Sequence, residues 1–220
     1  MKIFEKQISA TGRRAHIMLF GIKIASYNVK NDADVHGVGN VVQIPKNSNI
    51  TVHIYGDNNK VIVEEGIYHP SFAICIGVAG EVNTNNCTVH IGKNLSAGGG
   101  FMRICEDNTN VEIGEDCMFS SEISIWASDT HTILRDGKCS NVGKYIKLGN
   151  HVWLGYGVTV LKNTTISDNS IVGARSVVGG NFIEKGSVIA GNPARVVRTG
   201  INWDRRRPKQ YIEQNGEQND

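Results

Sequence analysis

The sequence has little of several features that classify a protein quickly. It contains four prolines among 220 residues, and no apolar run approaches the about 18 residues of a membrane-spanning helix. Its 23 basic and 21 acidic residues leave a net charge of +2. The composition therefore lacks the strongly basic surface expected of a protein that binds duplex nucleic acid. We expect neither a membrane span nor a nucleic-acid partner.

Two further absences concern the cellular compartment. The five cysteines are odd in number and contain no C-x-x-C pair, so no zinc site or disulfide framework follows. We expect them to be small buried side chains in a reducing compartment. The apolar patch at residues 17–20 is interrupted by Lys23 and is too short for a signal peptide. We therefore expect a soluble, cytoplasmic protein.

A six-residue repeat dominates the C-terminal half of the chain. Every sixth residue from Leu148 is aliphatic, and the residue four positions after each is mostly small or β-branched. The first set is Leu148, Leu154, Val160, Ile166, Val172 and Val178; the second is Val152, Val158, Thr164, Ser170, Ser176 and Phe182. One residue drops out near Phe182, and we expect the repeat to resume at Ile183 and Ile189. Neither a helix nor simple alternation has this period, whereas a solenoid does.

The repeat predicts stacked triangular rungs. Three hexads make one rung of about 18 residues, whose aliphatic side chains fill a narrow interior while glycines permit the bends. Rungs stack at the ~4.8 Å strand spacing, so each face becomes a parallel sheet. Less regular copies of the repeat, at residues 49–54, 87–92, 110–115 and 145–150, predict wider rungs upstream. Pro193 has no backbone N–H to donate, so stacking should end there.

The segments GNHVWLGYGVTVLKNTTISDNSIVGARSVV (149–178) and AGNPARVVR (190–198) resemble the hexapeptide-repeat acyltransferases. Within that superfamily they are most similar to bacterial O-acetyltransferases of polysaccharides and other sugars. The resemblance implies an all-β fold, a left-handed parallel β-helix, assembled as a homotrimer with acyl-CoA between neighbouring subunits. We divide the chain into an N-terminal segment (1–35), a β-helix domain (36–198) with a loop insertion at 129–144, and a C-terminal tail (199–220).

His131 is the main catalytic candidate. It lies in IWASDTHTILRDGKCSN (125–141), where an insertion interrupts the six-residue repeat, and insertions in solenoids line binding faces. The resemblance implies that this S-D-x-H-type segment carries the general base, and imidazole titrates near neutral pH. Asp129 would orient the ring or hold the sugar, or else bond local backbone amides. Trp153 is, by resemblance, a wall beside the acyl thioester; its alternative is plain packing.

The acetyl-CoA site rests on the resemblance. It implies that backbone N–H groups around Gly155, Gly173 and Ala174 grip the pantetheine arm. The phosphates would meet Lys162, Arg175, Arg195 or Arg198, because phosphate recognition uses Lys or Arg. Each of these side chains alone is more often a solvated surface charge. The family often has Thr-Lys after S-V-V, and this chain has Gly179-Gly180 instead, which removes one expected phosphate contact.

These observations favour transfer of an acetyl group from acetyl-CoA to a sugar hydroxyl of a bacterial surface glycan or its precursor. An N-acyltransferase acting on an amino-sugar nucleotide is the nearest alternative, and a non-catalytic β-helical binding protein is another. A carbonic-anhydrase-type enzyme needs about three histidine ligands, and no close histidine pair exists here, so we expect no metal. Residues 203–220 are polar and are predicted to be a short helix or a solvated tail, with at most peripheral membrane contact.

Overall fold

The computed structural model describes residues 4–8, 14–19, 22–28, 33–46, 48–66 and 70–216. Parts of the predicted N-terminal segment and the last four residues of the predicted tail lie outside this set. Three antiparallel strands come first: β1 (Phe4–Ile8), β2 (Arg14–Leu19) and β3 (Ile22–Asn28). The remaining strands, apart from one loop hairpin, form the three faces of a triangular prism.

The three faces are sheets whose strands stack in parallel, rung upon rung, except for the last strand of face 3, which pairs antiparallel. Face 1 contains β4 (Ala33–His36), β6 (Asn49–Tyr55), β8 (Ser71–Ile76), β11 (Gly100–Ile104), β14 (Ile123–Trp126), β19 (Thr159–Leu161) and β22 (Val177–Val178). Face 2 contains β5 (Val41–Gln43), β7 (Lys60–Val63), β9 (Thr88–Ile91), β12 (Asn110–Ile113), β17 (Tyr145–Leu148), β20 (Thr164–Ile166) and β23 (Asn181–Phe182). Face 3 contains β10 (Ser96–Ala97), β13 (Met118–Phe119), β18 (Trp153–Leu154), β21 (Ile171–Val172), β24 (Val188–Gly191) and β25 (Ala194–Arg198).

The chain passes from face 1 to face 2 to face 3 in every complete rung, and the predicted left-handed parallel β-helix is confirmed. Leu148 pairs with Ile166, one 18-residue rung later. Upstream rungs are wider, as predicted, since Val63 pairs with Ile91 and Ile91 with Ile113. The hairpin β15 (Leu134–Arg135) and β16 (Lys138–Cys139) lies in the insertion, and α1 (Pro208–Asn215) lies near the C-terminus.

The edges of the prism turn at residues in the left-handed backbone region, which explains the Asn, Asp and Gly spacing in the sequence. Edge 1–2, between faces 1 and 2, has Asn58, Asn86, Asn108 and Asn163 at φ of 56–59°. Edge 2–3 has Asn94, Asp116, His151 and Asn169 at φ of 55–63°. Edge 3–1 has Glu122, Gly157 and Arg175 at φ of 59–67°. Two of these positions, Glu122 and Arg175, are occupied by residue types that rarely adopt this conformation.

The interior confirms the six-residue repeat. All six aliphatic residues from Leu148 to Val178 are at most 1% exposed, and five of the six residues that follow them are equally buried. The expectation for Ile183 is wrong, because its side chain is 78% exposed and Phe182 points inward instead. Phe182 pairs with Ile166, so the last rung is shortened between faces 1 and 2. Ile189 is buried, as expected.

Stacking ends where the sequence indicates. Pro193 lies between β24 and β25, which pair antiparallel, so the chain turns back on face 3 and starts no new rung there.

Only two of the five cysteines are fully buried, and Cys139 is exposed on the insertion, contrary to expectation. Burial raises the pKa of Cys87 to about 11 and that of Cys117 to about 12, so both stay as thiols at neutral pH.

The outer surfaces of the three faces differ in chemistry. Face 1 presents outward apolar side chains in two neighbouring columns, and between these columns the rings of Phe101 and Trp126 meet edge to face at 5.2 Å. Face 2 is polar, with Lys147 Nζ 3.6 Å from a Glu112 carboxylate oxygen. Face 3 is overlaid by the segment that follows β25, through Trp203 and Arg205.

Candidate functional site

The insertion leaves the prism at edge 1–2, between β14 and β17, and is exposed along nearly its whole length. Its base is tied by three polar side chains. Asn141 Nδ2 donates to an Asp129 carboxylate oxygen at 2.7 Å and to the His131 carbonyl oxygen at 2.8 Å. Lys162 Nζ donates to the same Asp129 oxygen and to the Asn141 carbonyl oxygen. The backbone at His131 is therefore fixed by contacts with the other arm of the loop.

The His131 imidazole is exposed, and in the described part of the chain it makes no hydrogen bond or ion pair. A neutral imidazole in this state has a ring nitrogen able to accept a proton from an incoming hydroxyl. Asp129, predicted to orient this ring, instead bonds Lys162 and Asn141. The carboxylate therefore anchors the loop within one chain, and its role toward a substrate stays a prediction.

Asp129 should also make the loop anchor sensitive to acid. The hydrogen bond from Lys162 holds the pKa of the Asp129 carboxyl below its usual value, with the bond from Asn141 acting in the same direction. A lowered pKa in the folded state stabilises the anchor above the ordinary carboxyl pKa of about 4 and weakens it as the pH falls below that value. Asp129→Asn should remove this acid sensitivity and loosen the loop.

Limited trypsin digestion at neutral pH measures this loosening, because Arg135 and Lys138 are exposed on the loop. We expect Asp129→Asn to be cut about fivefold faster, the factor for the ~1 kcal/mol of a partly exposed ion pair. Asp136→Asn removes the same charge from the loop tip and is the matched control. Equal cleavage rates for the two variants would contradict the anchor.

Trp153 lies on face 3, away from the insertion. Its indole is half-buried and points outward, in a column with Met118 and Ile171 on the neighbouring strands. The sequence interpretation of Trp153 as something other than an inward core residue is consistent with this position. Within one chain, however, Trp153 and His131 belong to different parts of the prism surface.

The predicted carrier-binding residues collect mainly at edge 3–1. Gly155 lies directly beneath Ala174, and a side chain at Gly155 would meet the Ala174 backbone nitrogen at 2.8 Å. The amides of Gly155 and Gly173 already donate to the next rung, at Val172 and Ile189, so they are not available to a ligand. In the described chain the amides of Tyr156 and Ala174 donate no hydrogen bond, and both are among the available donors at this edge.

The four predicted phosphate ligands divide between two regions. Arg175 is 66% exposed at edge 3–1, and Arg195 and Arg198 are exposed on β25. Lys162 is at edge 1–2, where it is only 17% exposed and bonded to Asp129. Sequence reasoning missed this ion pair because its partners are 33 residues apart. Contact of any of the four with a phosphate stays a prediction.

Two solved structures share this fold and part of this sequence. The polySia specific acetyltransferase NeuO is 27% identical with a TM-score of 0.64, over 84% of this chain and 86% of its own. The polysialic acid O-acetyltransferase OatWY is also 27% identical, with a TM-score of 0.54, over 84% of this chain and 96% of its own. The chain is a β-helix of the hexapeptide-repeat acyltransferase type. A scan of protein-family models and a search of curated proteins find no match.

In this acyltransferase-type chain, the side chains of Glu122, Tyr156 and Arg175 form a cluster at edge 3–1 that the sequence did not predict. Glu122 accepts a hydrogen bond from Tyr156 Oη and pairs with Arg175 Nη2 at 3.2 Å. The Arg175 guanidinium lies 4.7 Å from the centre of the Tyr156 ring. A phosphate arriving at Arg175 would therefore compete with the Glu122 carboxylate.

The acyltransferase-type fold shows no grouping of metal ligands in its described residues, where no three His, Cys, Asp or Glu side chains converge. The single helix of the described chain, α1, is too short and too polar to cross a membrane.

His151 lies at edge 2–3, where its ring stacks on Trp203. This contact was not predicted, because a tryptophan 52 residues away in a polar tail gives no local pattern.

Proposed function

We propose that the chain transfers an acetyl group from acetyl-CoA to a hydroxyl group of a sialic-acid-containing glycan. The observation that carries this proposal is the match to two acetyltransferases of polysialic acid, each over 84% of this chain. The exposed, unpaired imidazole of His131 supplies the base that such a transfer needs. The proposal includes a cytoplasmic location, the compartment that contains acetyl-CoA, and an acceptor that is a surface glycan or its precursor.

The active site is proposed to form between copies of the chain. Face 1 is flanked by edge 1–2, which carries His131, and by edge 3–1, which carries Ala174 and Arg175. If three copies turn face 1 toward a common axis, edge 1–2 of each copy meets edge 3–1 of the next. Outward apolar side chains of face 1 support this arrangement: Ala73, Phe101 and Val177 lie in one outward column, and Trp126 and Leu161 in the neighbouring one.

The residues at edge 3–1 fit an acyl-CoA donor chemically. The available amides of Tyr156 and Ala174 match the carbonyl oxygens of a pantetheine arm. Arg175, Arg195 and Arg198 supply exposed positive charge for phosphates. Gly155 and Gly173 add no side chains of their own to this edge, where the exposed side chains include those of Glu122, Tyr156 and Arg175.

The reaction needs one proton carrier and no covalent enzyme intermediate. His131 accepts the proton of the sugar hydroxyl as the hydroxyl oxygen attacks the thioester carbonyl carbon. Collapse of the tetrahedral adduct breaks the carbon–sulfur bond and forms the acetyl ester. The His131 imidazolium returns its proton to the departing sulfur, so charge and atoms balance. Trp153 borders the reacting groups, where its indole N–H is available to the developing oxyanion.

A thiol-release assay with acetyl-CoA tests the proposed function. The acceptors are polysialic acid, neutral oligosaccharides and an amino-sugar nucleotide, and light scattering measures the mass of the assembly alongside. We expect CoA release that depends on polysialic acid, a product whose acetyl group is removed by mild alkali, and a mass three times that of the chain. An alkali-stable amide product would favour N-acylation, and absence of release with every acceptor would contradict the proposal.

A further inference from the structure

The chain folds back over face 3 after β25. Residues 201–206, here called the C-terminal strap, begin where the Ile201 amide donates to the Gly186 carbonyl oxygen at 3.0 Å. Trp203 is only 8% exposed, whereas the residues on either side of it are exposed or half-buried. A single buried tryptophan in a polar segment acts as an anchor, because it supplies most of the apolar area that the segment buries.

Trp203 is held by His151 through three contacts. Its indole N–H donates to the His151 carbonyl oxygen at 2.8 Å, and His151 Nε2 lies 2.9 Å from the Trp203 carbonyl oxygen. The two rings stack with centroids 3.8 Å apart and planes 7° from parallel. Asp116 Oδ2, 2.6 Å from His151 Nδ1, fixes the orientation of the imidazole. A contact defined this closely sets the position of the strap on face 3.

Arg205 fastens the other end of the strap. Its guanidinium donates to Asp116 Oδ1 at 3.0 Å, to Ser96 Oγ at 2.6 Å, and to the carbonyl oxygens of Asn94, Asp116 and Cys117 at 3.0–3.1 Å. These acceptors belong to two successive rungs. Arginine suits this task because its planar donors satisfy several fixed acceptors together.

We propose that the strap, through Trp203, positions the Trp153 indole for acetyl transfer, a proposal that rests on the proposed function. The Trp153 ring lies 6.0 Å from the Trp203 ring at an angle of 52°. Trp153 also follows His151 by two residues. The contacts that Trp203 makes with His151 therefore restrain the backbone next to Trp153 as well. Trp203 and Arg205 are thus positioning residues that act through Trp153, Trp203 by its ring contact and Arg205 by fastening the strap.

Steady-state kinetics of the full-length protein test the positioning role. Trp203→Ala should lower kcat about tenfold, because a displacement of about an ångström at a reacting centre has effects of this order or larger. The KM for acetyl-CoA should change less than about twofold, and Trp203→Phe, which keeps a ring over His151, should recover most of kcat. Arg206→Ala is the control, since Arg206 bonds Asp204 and Gln214 within the tail.

A double-mutant cycle separates positioning from general stabilisation. If the strap acts through Trp153, Trp203→Ala should change kcat less than about twofold in a Trp153→Ala background. An equal loss of kcat in both backgrounds would overturn the proposal.

A spectroscopic readout tests the strap without turnover. In protein labelled with 5-fluorotryptophan, the ¹⁹F resonance that disappears in Trp153→Phe belongs to Trp153. Trp203→Ala and Arg205→Ala should shift it, and Arg206→Ala should leave it in place. An unshifted resonance would overturn the positioning role proposed for the strap, even if acetyl transfer is found. A shifted resonance in a protein without transferase activity would leave the contact intact and contradict the proposed function alone.

Discussion

Replacing His131 with alanine is expected to lower kcat/KM for acetyl transfer by about a hundredfold or more. Removal of a general base typically costs a factor of 10² to 10⁴. The imidazole bonds no neighbour in the described chain and is exposed on the insertion, so its loss should leave the fold and the loop anchor unchanged. The measurement is initial-rate CoA release at saturating acceptor, with circular dichroism to compare the folds.

His90→Ala is the matched control for this experiment. His90 is also exposed, on face 2, and among the described residues it bonds only Glu64, at 3.1 Å. We expect its activity to stay within about twofold of the unmodified protein, the range of a surface substitution away from the site. Full turnover in His131→Ala would remove this residue from the mechanism.

The largest stability effect is expected for Ile125→Ala. Ile125 is fully buried at the centre of face 1 and pairs with Met102 below and Val160 above. Truncating a buried isoleucine removes transfer free energy and leaves a cavity, at a cost of about 2–5 kcal/mol. Because every rung packs on its neighbours, the loss should lower the free energy of unfolding of the whole solenoid. Urea unfolding at one fixed protein concentration measures it.

Ile183→Ala provides the same chemical change on the outside. Ile183 is 78% exposed, so its truncation should change the free energy of unfolding by less than about 0.5 kcal/mol. The simple six-residue count would place Ile183 in the interior and predict two similar losses. A destabilisation by Ile183→Ala as large as that by Ile125→Ala would show that the count is right and the shortened rung wrong.

The repeat made most of the fold predictable, because an inward position is marked by one residue type at a fixed interval. It also marked the place of the insertion and the end at Pro193. The count failed at Ile183, since a shortened turn changes the register without changing the composition. This failure is local because Ile189 restores the stacking on face 3.

The candidate site was less predictable than the fold. His131 and Trp153 are readable from short motifs, but the Asp129–Lys162 pair and the His151–Trp203 stack join residues 33 and 52 positions apart. Such contacts depend on how rungs and tail superpose, which residue spacing within a hexad does not specify. The amides of Gly155 and Gly173 illustrate the same limit, because only the rung above reveals that they are already bonded.

The shortness of the final strands limits how the molecule can grow. β22 and β23 end faces 1 and 2 of the described chain, and each is two residues long. On face 3 the last position is taken by the antiparallel β25. A foreign strand arriving at this end would find few backbone groups in register on faces 1 and 2. On these two faces the short strands thus disfavour end-to-end polymerisation into fibres at this end of the prism.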